Sequence, residues 1–415
     1  MKIAIIGTGI SGLGAAYLLH PHHDITVYEK ETRLGGHSRT VDITIDGKNI
    51  PVDTGFIVFN DRNYPLLNGL FRHIGVPIQK SDMSFGASIG NGYLEYGSKG
   101  MFAQKRNLLR PAYWRMLWDI LRFNRQAAAY LHRSNDITLA QCLDELRMGD
   151  WFRRYYLQAM GAAIWSCSID TILKFPARNF IQFFHNHGLL TVNGHPQWYT
   201  VTGGSRTYIE KLVTGFRDRI RLGCGVKSVT RTGDGVMVAD TQGAKNTYDH
   251  VIFACHGDQA LALLADADAV EQKILGAFTY QKNRAVLHAD TSLMPENRGA
   301  WASWIYLSEQ QRDQNPSVSL TYWMNNLQNL PTEQNVFVTL NPGRMPAADL
   351  IYDQHDFDHP VFTRNTASAQ QQIGAIQNVN RVSFCGAHLR YGFHEDGLLS
   401  AVNIAASLGV DVPWA

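Results

Sequence analysis

The start of the chain constrains it most. After Lys2, the run Ile3-Ala4-Ile5-Ile6 is apolar and passes straight into Gly7-Thr8-Gly9-Ile10-Ser11-Gly12. An unbroken apolar run closed by glycine predicts a strand buried on both faces of a parallel sheet. A helix-compatible segment, Leu13 to Leu19, comes next and stops at His20-Pro21, and a second strand, Ile25 to Tyr28, ends on Glu29. In that order Gly7 permits the tight turn, Gly9 lets backbone approach a pyrophosphate, and Gly12 lets the helix pack close to the strand. Free amides and the positive end of the helix then face phosphate. Glu29, twenty residues beyond Gly9 and next to Lys30, is placed to accept hydrogen bonds from ribose hydroxyls. A simple glycine turn has no need of strand, glycines, helix, strand and acid in sequence.

The residues after Glu29 narrow the choice of dinucleotide. Arg33-Leu34-Gly35-Gly36-His37-Ser38-Arg39-Thr40 resembles the second glycine pair of the flavin amine oxidase superfamily, which includes monoamine oxidases, protoporphyrinogen oxidases and phytoene desaturases. In that pattern an arginine directly follows the glycines. Here His37 stands there and an arginine comes two places later, so the resemblance carries the phosphate-facing role to Arg39 and leaves that of His37 open. Near the other end, Arg381 to Ala387 reads as a buried strand ending at Gly386, with Gly392-Phe393-His394-Glu395-Asp396-Gly397-Leu398 and a helix-like run to Leu408 after it. This resembles the closing FAD motif of the same superfamily, except that His388 stands where an acid is usual.

Further stretches, among them Val52 to Asn60, Ala163-Ile164-Trp165-Ser166, Phe184 to Leu190 and Thr202 to Arg206, resemble a bacterial subgroup described as predicted NAD/FAD-binding proteins, over nearly the whole chain. Members are often encoded beside cyclopropane-fatty-acid-synthase-like methyltransferases, which implies an unsaturated or methylated fatty acyl substrate. The resemblance implies FAD as cofactor, with contacts from Gly7, Gly9, Ile10, Ser11, Gly12, Glu29, Lys30, Gly35, Gly36, His37, Ser38 and Arg39. It adds Thr54, Gly55, Phe56, Ile57, Val226 at the adenine, Gly386, Ala387, Asp396, Gly397 and Leu398.

A chain of 415 residues predicts more than one core. Residues 220–226, 227–232 and 236–240 alternate like a small antiparallel meander turning at Gly233-Asp234-Gly235, and 249–254 returns to a buried strand. The expected fold class is α/β, a Rossmann-type FAD-binding domain with an inserted α+β substrate-binding domain, amine oxidase-like. Residues 1–80, 200–265 and 375–415 belong to the first domain. Residues 81–199 and 266–374 belong to the second, with a mainly helical part at about 100–195.

With 38 basic and 36 acidic side chains the formal charge is +2, which gives no field for a nucleic acid. The five cysteines are scattered without metal-type pairing, as suits reduced thiols in a cytoplasmic protein. No apolar run reaches the roughly 18 residues of a membrane span, and no targeting segment is expected ahead of the first strand. Asp353 to His359 alternates acid with histidine but lacks a metal-binding arrangement, and reads as a solvated loop.

A flavin supplies its own redox chemistry, so the protein must hold a substrate atom beside it and exclude water. Aromatic residues of the inserted segments are candidates for an apolar pocket, with Trp165, Tyr322 and Trp323 placed beside the flavin by the superfamily's layout. His394 and Glu395, inside the closing motif, are the candidate catalytic groups; His185 and His187 read as structural. The favoured activity is dehydrogenation or desaturation of an apolar, fatty acyl carbon. Amine oxidation and a redox-neutral isomerase or lipid-binding module remain open. Finally, residues 105–133 carry seven Lys or Arg against the single acid Asp119, interleaved with Trp114, Trp118 and leucines. That pattern suits a helix lying on an anionic membrane face, and equally a helix with a core-facing apolar side and solvated arginines.

Overall fold

The computed structural model describes residues 1–133, 137–165, 169–191, 194–308 and 319–414. The opening run forms β1 (Lys2–Ile6), the middle strand of a five-stranded sheet with β2 (Asp24–Tyr28), β3 (Ile220–Arg221), β4 (His250–Phe253) and β5 (Val382–Phe384). The order is β3-β2-β1-β4-β5 and every pairing is parallel. Ile3, Ala4 and Ile5 are fully buried, which is why this strand tolerates no alternation.

The first helix, α1 (Ile10–Leu19), starts three residues earlier than the apolar pattern suggested, with Gly9 as its N-cap. Gly12 thus lies inside the helix, where a Cβ would fall 1.9 Å from the Gly7 carbonyl oxygen; this contact holds helix and strand together and only glycine permits it. The meander is shifted from expectation. Its strands are Val226–Thr232, Gly235–Asp240 and Lys245–Tyr248, because Ile220–Arg221 pairs with β2 instead.

Next come α2 (Pro65–His73), α3 (Pro111–Gln126), α4 (Ala159–Trp165) and α5 (Ala177–Asn186). From α3 to α5, helices share one apolar core through Tyr113, Met116, Phe123, Phe152, Phe180 and Phe184. A seven-stranded sheet, built from residues 85–97 and 279–361, stands beside this layer. It includes Ile351–Val361, eleven residues paired along Thr279–His288, so Asp353 to His359 is a strand and not the loop its composition suggested. The last helix, α6 (His394–Ser407), packs on α1, where a Cβ on Gly14 would stand 2.9 Å from Leu398. No described helix is long and apolar enough to cross a membrane.

Candidate functional site

The glycine turn after β1 opens onto a cavity of about 760 Å³. On one side it is walled by Gly7 to Ser11, Glu29, Lys30, Arg33, Gly35, Gly36, Val226, Gly386 and Ala387. On the other stand Met83, Phe85, Met160, Ile164, Phe183, Trp304, Tyr322 and Leu340, with His37, Thr54 to Ile57 and His394 among the remaining wall. Residues distant in sequence meet there because both chain ends feed the same parallel sheet.

The turn end suits a dinucleotide. A Cβ built on Gly9 would meet nothing within 4 Å, so space lies open over the first turn of α1, whose leading amides have no partner inside the helix. The Glu29 carboxylate accepts from the Thr8 amide at 2.9 Å and the Glu31 amide at 2.9 Å, and from the Thr8 hydroxyl. Those bonds hold it against the turn while it still faces the cavity.

Other expected contacts fall outside the wall. Arg39 donates to both oxygens of Asp353, at 2.6 and 3.1 Å, so the strand at 351–361 takes up its guanidinium. Arg33 lines the cavity instead and donates to the Gly36 carbonyl at 2.8 Å. Asp396 accepts from the Phe393 amide at 3.0 Å, capping α6, and Leu398 is buried against α1. Gly12 and Gly397 likewise serve packing: a Cβ on Gly397 would stand 2.8 Å from Ile10. Ser38 sits behind the wall, with its hydroxyl 2.9 Å from His394 Nε2.

His394 and Glu395, adjacent in sequence, point to different places. His394 lies on the wall, stacked on Phe56 at 3.7 Å, with Nε2 also 3.2 Å from the Tyr208 hydroxyl. Burial pushes its pKa down to about 3, so it is neutral. Glu395 turns away and accepts from the Leu66 and Leu67 amides at 2.8 and 3.0 Å, capping α2. A carboxylate at a helix start stabilises the unpaired amides there. Glu395→Gln leaves one of those amides facing an NH2 group, and should lower the thermal midpoint by the equivalent of about 1–3 kcal/mol with FAD content unchanged. Loss of flavin at unchanged stability would contradict the capping assignment.

Of the expected pocket residues, Tyr322 lines the cavity. Trp323 does not, because neighbours along a strand face opposite ways; it meets Trp301 edge-on at 5.3 Å. Trp165 ends α4, and its side chain lies outside the described residues. Trp304, paired across the sheet with Tyr322 at 4.9 Å, carries a buried indole N–H without a hydrogen-bond partner. Of the histidines of the wall, the sequence pattern named His37 and His394 as site residues but not His256 or His359. His359 stacks on His37 at 5.3 Å and His256 on Tyr280 at 4.2 Å. Burial lowers the pKa of His37, His187, His256, His359 and His388 as it does that of His394. His187 touches the cavity, with Nδ1 at 2.9 Å from the Phe183 carbonyl, whereas His185 is exposed. Among the described residues no group of acids, histidines and cysteines is arranged to hold a metal.

A parallel sheet whose glycine turn opens into a cavity walled on its far side by a second sheet is the arrangement of a dinucleotide-binding protein. The chain belongs to the flavin containing amine oxidoreductase family, whose model it matches over residues 10–408, and its cofactor is FAD. It is 24% identical over 258 residues to the "Putative flavin-containing monoamine oxidase AofH" of Mycobacterium tuberculosis, a match covering 59% of this chain and 54% of that protein. The chain therefore spans about half the length of that relative. Its fold is similar to that of a CLA-producing fatty acid isomerase from P. acnes, with TM-score 0.69, 14% identity and 98% of each chain covered. A putrescine oxidase bound to putrescine is similar too, with TM-score 0.68, 14% identity, and 98% and 99% covered.

Proposed function

We propose that this chain is an FAD-dependent dehydrogenase or desaturase that removes hydride from an activated carbon of an apolar, fatty acyl substrate. One observation carries the reading: the cavity that begins at the glycine turn continues, without a dividing wall, into a lining of methionine, phenylalanine, tryptophan and leucine side chains. Bound flavin supplies the hydride acceptor. The amides of Gly9 to Ser11 would hold the diphosphate with Arg33 nearby, Glu29 and Lys30 would meet the ribose, and Val226 the adenine. Residues 81–199 and 266–374 would act as the substrate domain, shielding the reacting carbon from water.

His394, neutral and fixed between Ser38 and Tyr208, would orient the substrate by hydrogen bonding. The unpartnered indole of Trp304 offers a second donor for a carbonyl or carboxylate head. Among the described residues, the second-sheet and helical sides of the wall carry only Asp356 and Asp358 as acids, little to receive an alkylammonium, which disfavours amine oxidation. Redox-neutral isomerisation is the second reading, supported by the shared fold of the solved fatty acid isomerase.

Anaerobic mixing with unsaturated fatty acids, monitored at the flavin band, separates these readings. Bleaching is the result expected of a dehydrogenase. Product without net bleaching would mean isomerisation, and bleaching by amines alone would overturn the lipid assignment. In the same assay His394→Gln should slow flavin reduction by about ten-fold or more with FAD content retained. Unchanged reduction would remove His394 from the reaction.

A further inference from the structure

The helix α3 buries one side and leaves the other without cover. Tyr113, Met116 and Phe123 enter the core, while Trp114, Trp118 and Leu121, spaced four and three residues apart, form one exposed ridge. The ridge continues into the preceding turn through Phe102, Leu108 and Leu109, and exposure reaches 86% at Leu109 and 61% at Trp118. Six of the twelve large exposed apolar side chains among the described residues thus fall within residues 102–121, a concentration and not the scatter of an ordinary surface.

Charge decides what would cover this ridge. Lys105, Arg106 and Arg125 are exposed around it, and the only acid between residues 105 and 133, Asp119, is fully buried. Arg115 and Arg122 bind that acid from the flank, at 3.0 and 2.7 Å. The outward surface of the segment is therefore cationic and apolar, with no carboxylate. A second copy meeting it through a twofold axis would set these cations against their own equivalents. An anionic lipid surface answers both properties at once, with headgroups for the cations and the acyl boundary for tryptophan and leucine.

We propose that α3 and the turn before it form a peripheral docking face for anionic membranes. The buried side of α3 shares its apolar core with Met160 and Phe183 of the cavity wall, so docking would bring the substrate-facing layer of the protein against the bilayer. This proposal does not depend on the chemistry at the flavin.

Charge reversal at Arg115 or Arg122 would be a poor test, since both hold buried Asp119, whose Oδ2 also accepts from the Gly149 amide at 2.9 Å. Two double variants avoid that network: Leu109→Ser with Trp118→Ser, and Lys105→Glu with Arg125→Glu. The FAD-loaded full chain is mixed with phosphatidylcholine vesicles with and without phosphatidylglycerol, and sedimented. Wild type should partition onto the phosphatidylglycerol vesicles at low salt. Binding should fall about ten-fold or more at high salt, on pure phosphatidylcholine and in each variant, with flavin absorbance and thermal midpoint unchanged. Failure of wild type to bind at any ionic strength, or equal binding by the variants, would overturn the proposal. So would conversion of a wild-type dimer to a monomer by the Leu109/Trp118 variant in the absence of lipid, which would identify the ridge as a contact between copies.

Discussion

Gly9→Val should give a folded protein that purifies without flavin. Gly9 has φ −64°, a value any residue adopts, so backbone strain is not the reason. A Cβ there would collide with nothing in the protein, since no atom lies within 4 Å of its position. The space belongs to the cavity above the first turn of α1, the diphosphate site proposed above, and a β-branched side chain would occupy it. The contrast with Gly12 is sharp: a Cβ there lies 1.9 Å from the Gly7 carbonyl, and Gly12→Val should prevent folding of the parallel sheet. Absorbance spectra and thermal melts of the two variants separate the cases. Gly9→Val is expected to be colourless with a melting midpoint near that of the flavin-stripped wild type. A Gly9→Val protein with full flavin content would show that the diphosphate lies elsewhere.

The difference between these glycines was readable in sequence, because the fingerprint is local: β1, the turn, α1 and β2 make their defining contacts within 30 residues. The closing motif was readable for the same reason, and β5 and α6 fall where the pattern placed them. What escaped depends on distance. Glu395 lies beside His394 in sequence, yet the amides it caps belong to Leu66 and Leu67, over 320 residues away, and nothing near Glu395 announces them. The partner of Arg39, Asp353, is about as remote, and nothing near Arg39 announces it either.

The strand at 351–361 was hidden by chemistry and not by distance. Its residues His355 to Pro360 line the cavity, with Phe357 and His359 parallel to within 3°. A strand facing a cavity can carry polar residues where a core-facing strand carries apolar ones, so its period-two signal is read as a solvated loop. The meander was misplaced by a few residues because Ile220–Arg221 satisfies the same alternation at the edge of the parallel sheet.

That cavity-facing polarity leads to acid lability as a second large effect. Burial holds the pKa of His187, His250, His288 and His359 at about 4 and that of His388 and His394 at about 3, against an ordinary value of 6.5. For each, the unfolded chain takes up a proton near pH 6.5 while the folded protein does not, so the stability they contribute is full above pH 6.5 and is lost as pH falls toward 3–4. Three buried carboxyls act in the opposite sense. Burial raises Asp53 and Asp396 to about 6 and Glu395 to about 7, so their contribution is present below about pH 4 and is lost as pH rises through 6–7. Around pH 5 six histidines outweigh three carboxyls, and each uncompensated proton is worth about 1.4 kcal/mol per pH unit. Stability should therefore fall by a few kcal/mol per pH unit between pH 6 and pH 4.5. His250 and His288 lie away from the cavity, each bonded to a hydroxyl, Ser383 at 2.9 Å and Thr339 at 2.7 Å, so His250→Asn with His288→Asn should flatten the slope without touching the flavin site. Urea unfolding across that range measures it. A stability that stays level, or that rises on acidification, would mean that the carboxyls and not the histidines govern the acid limb.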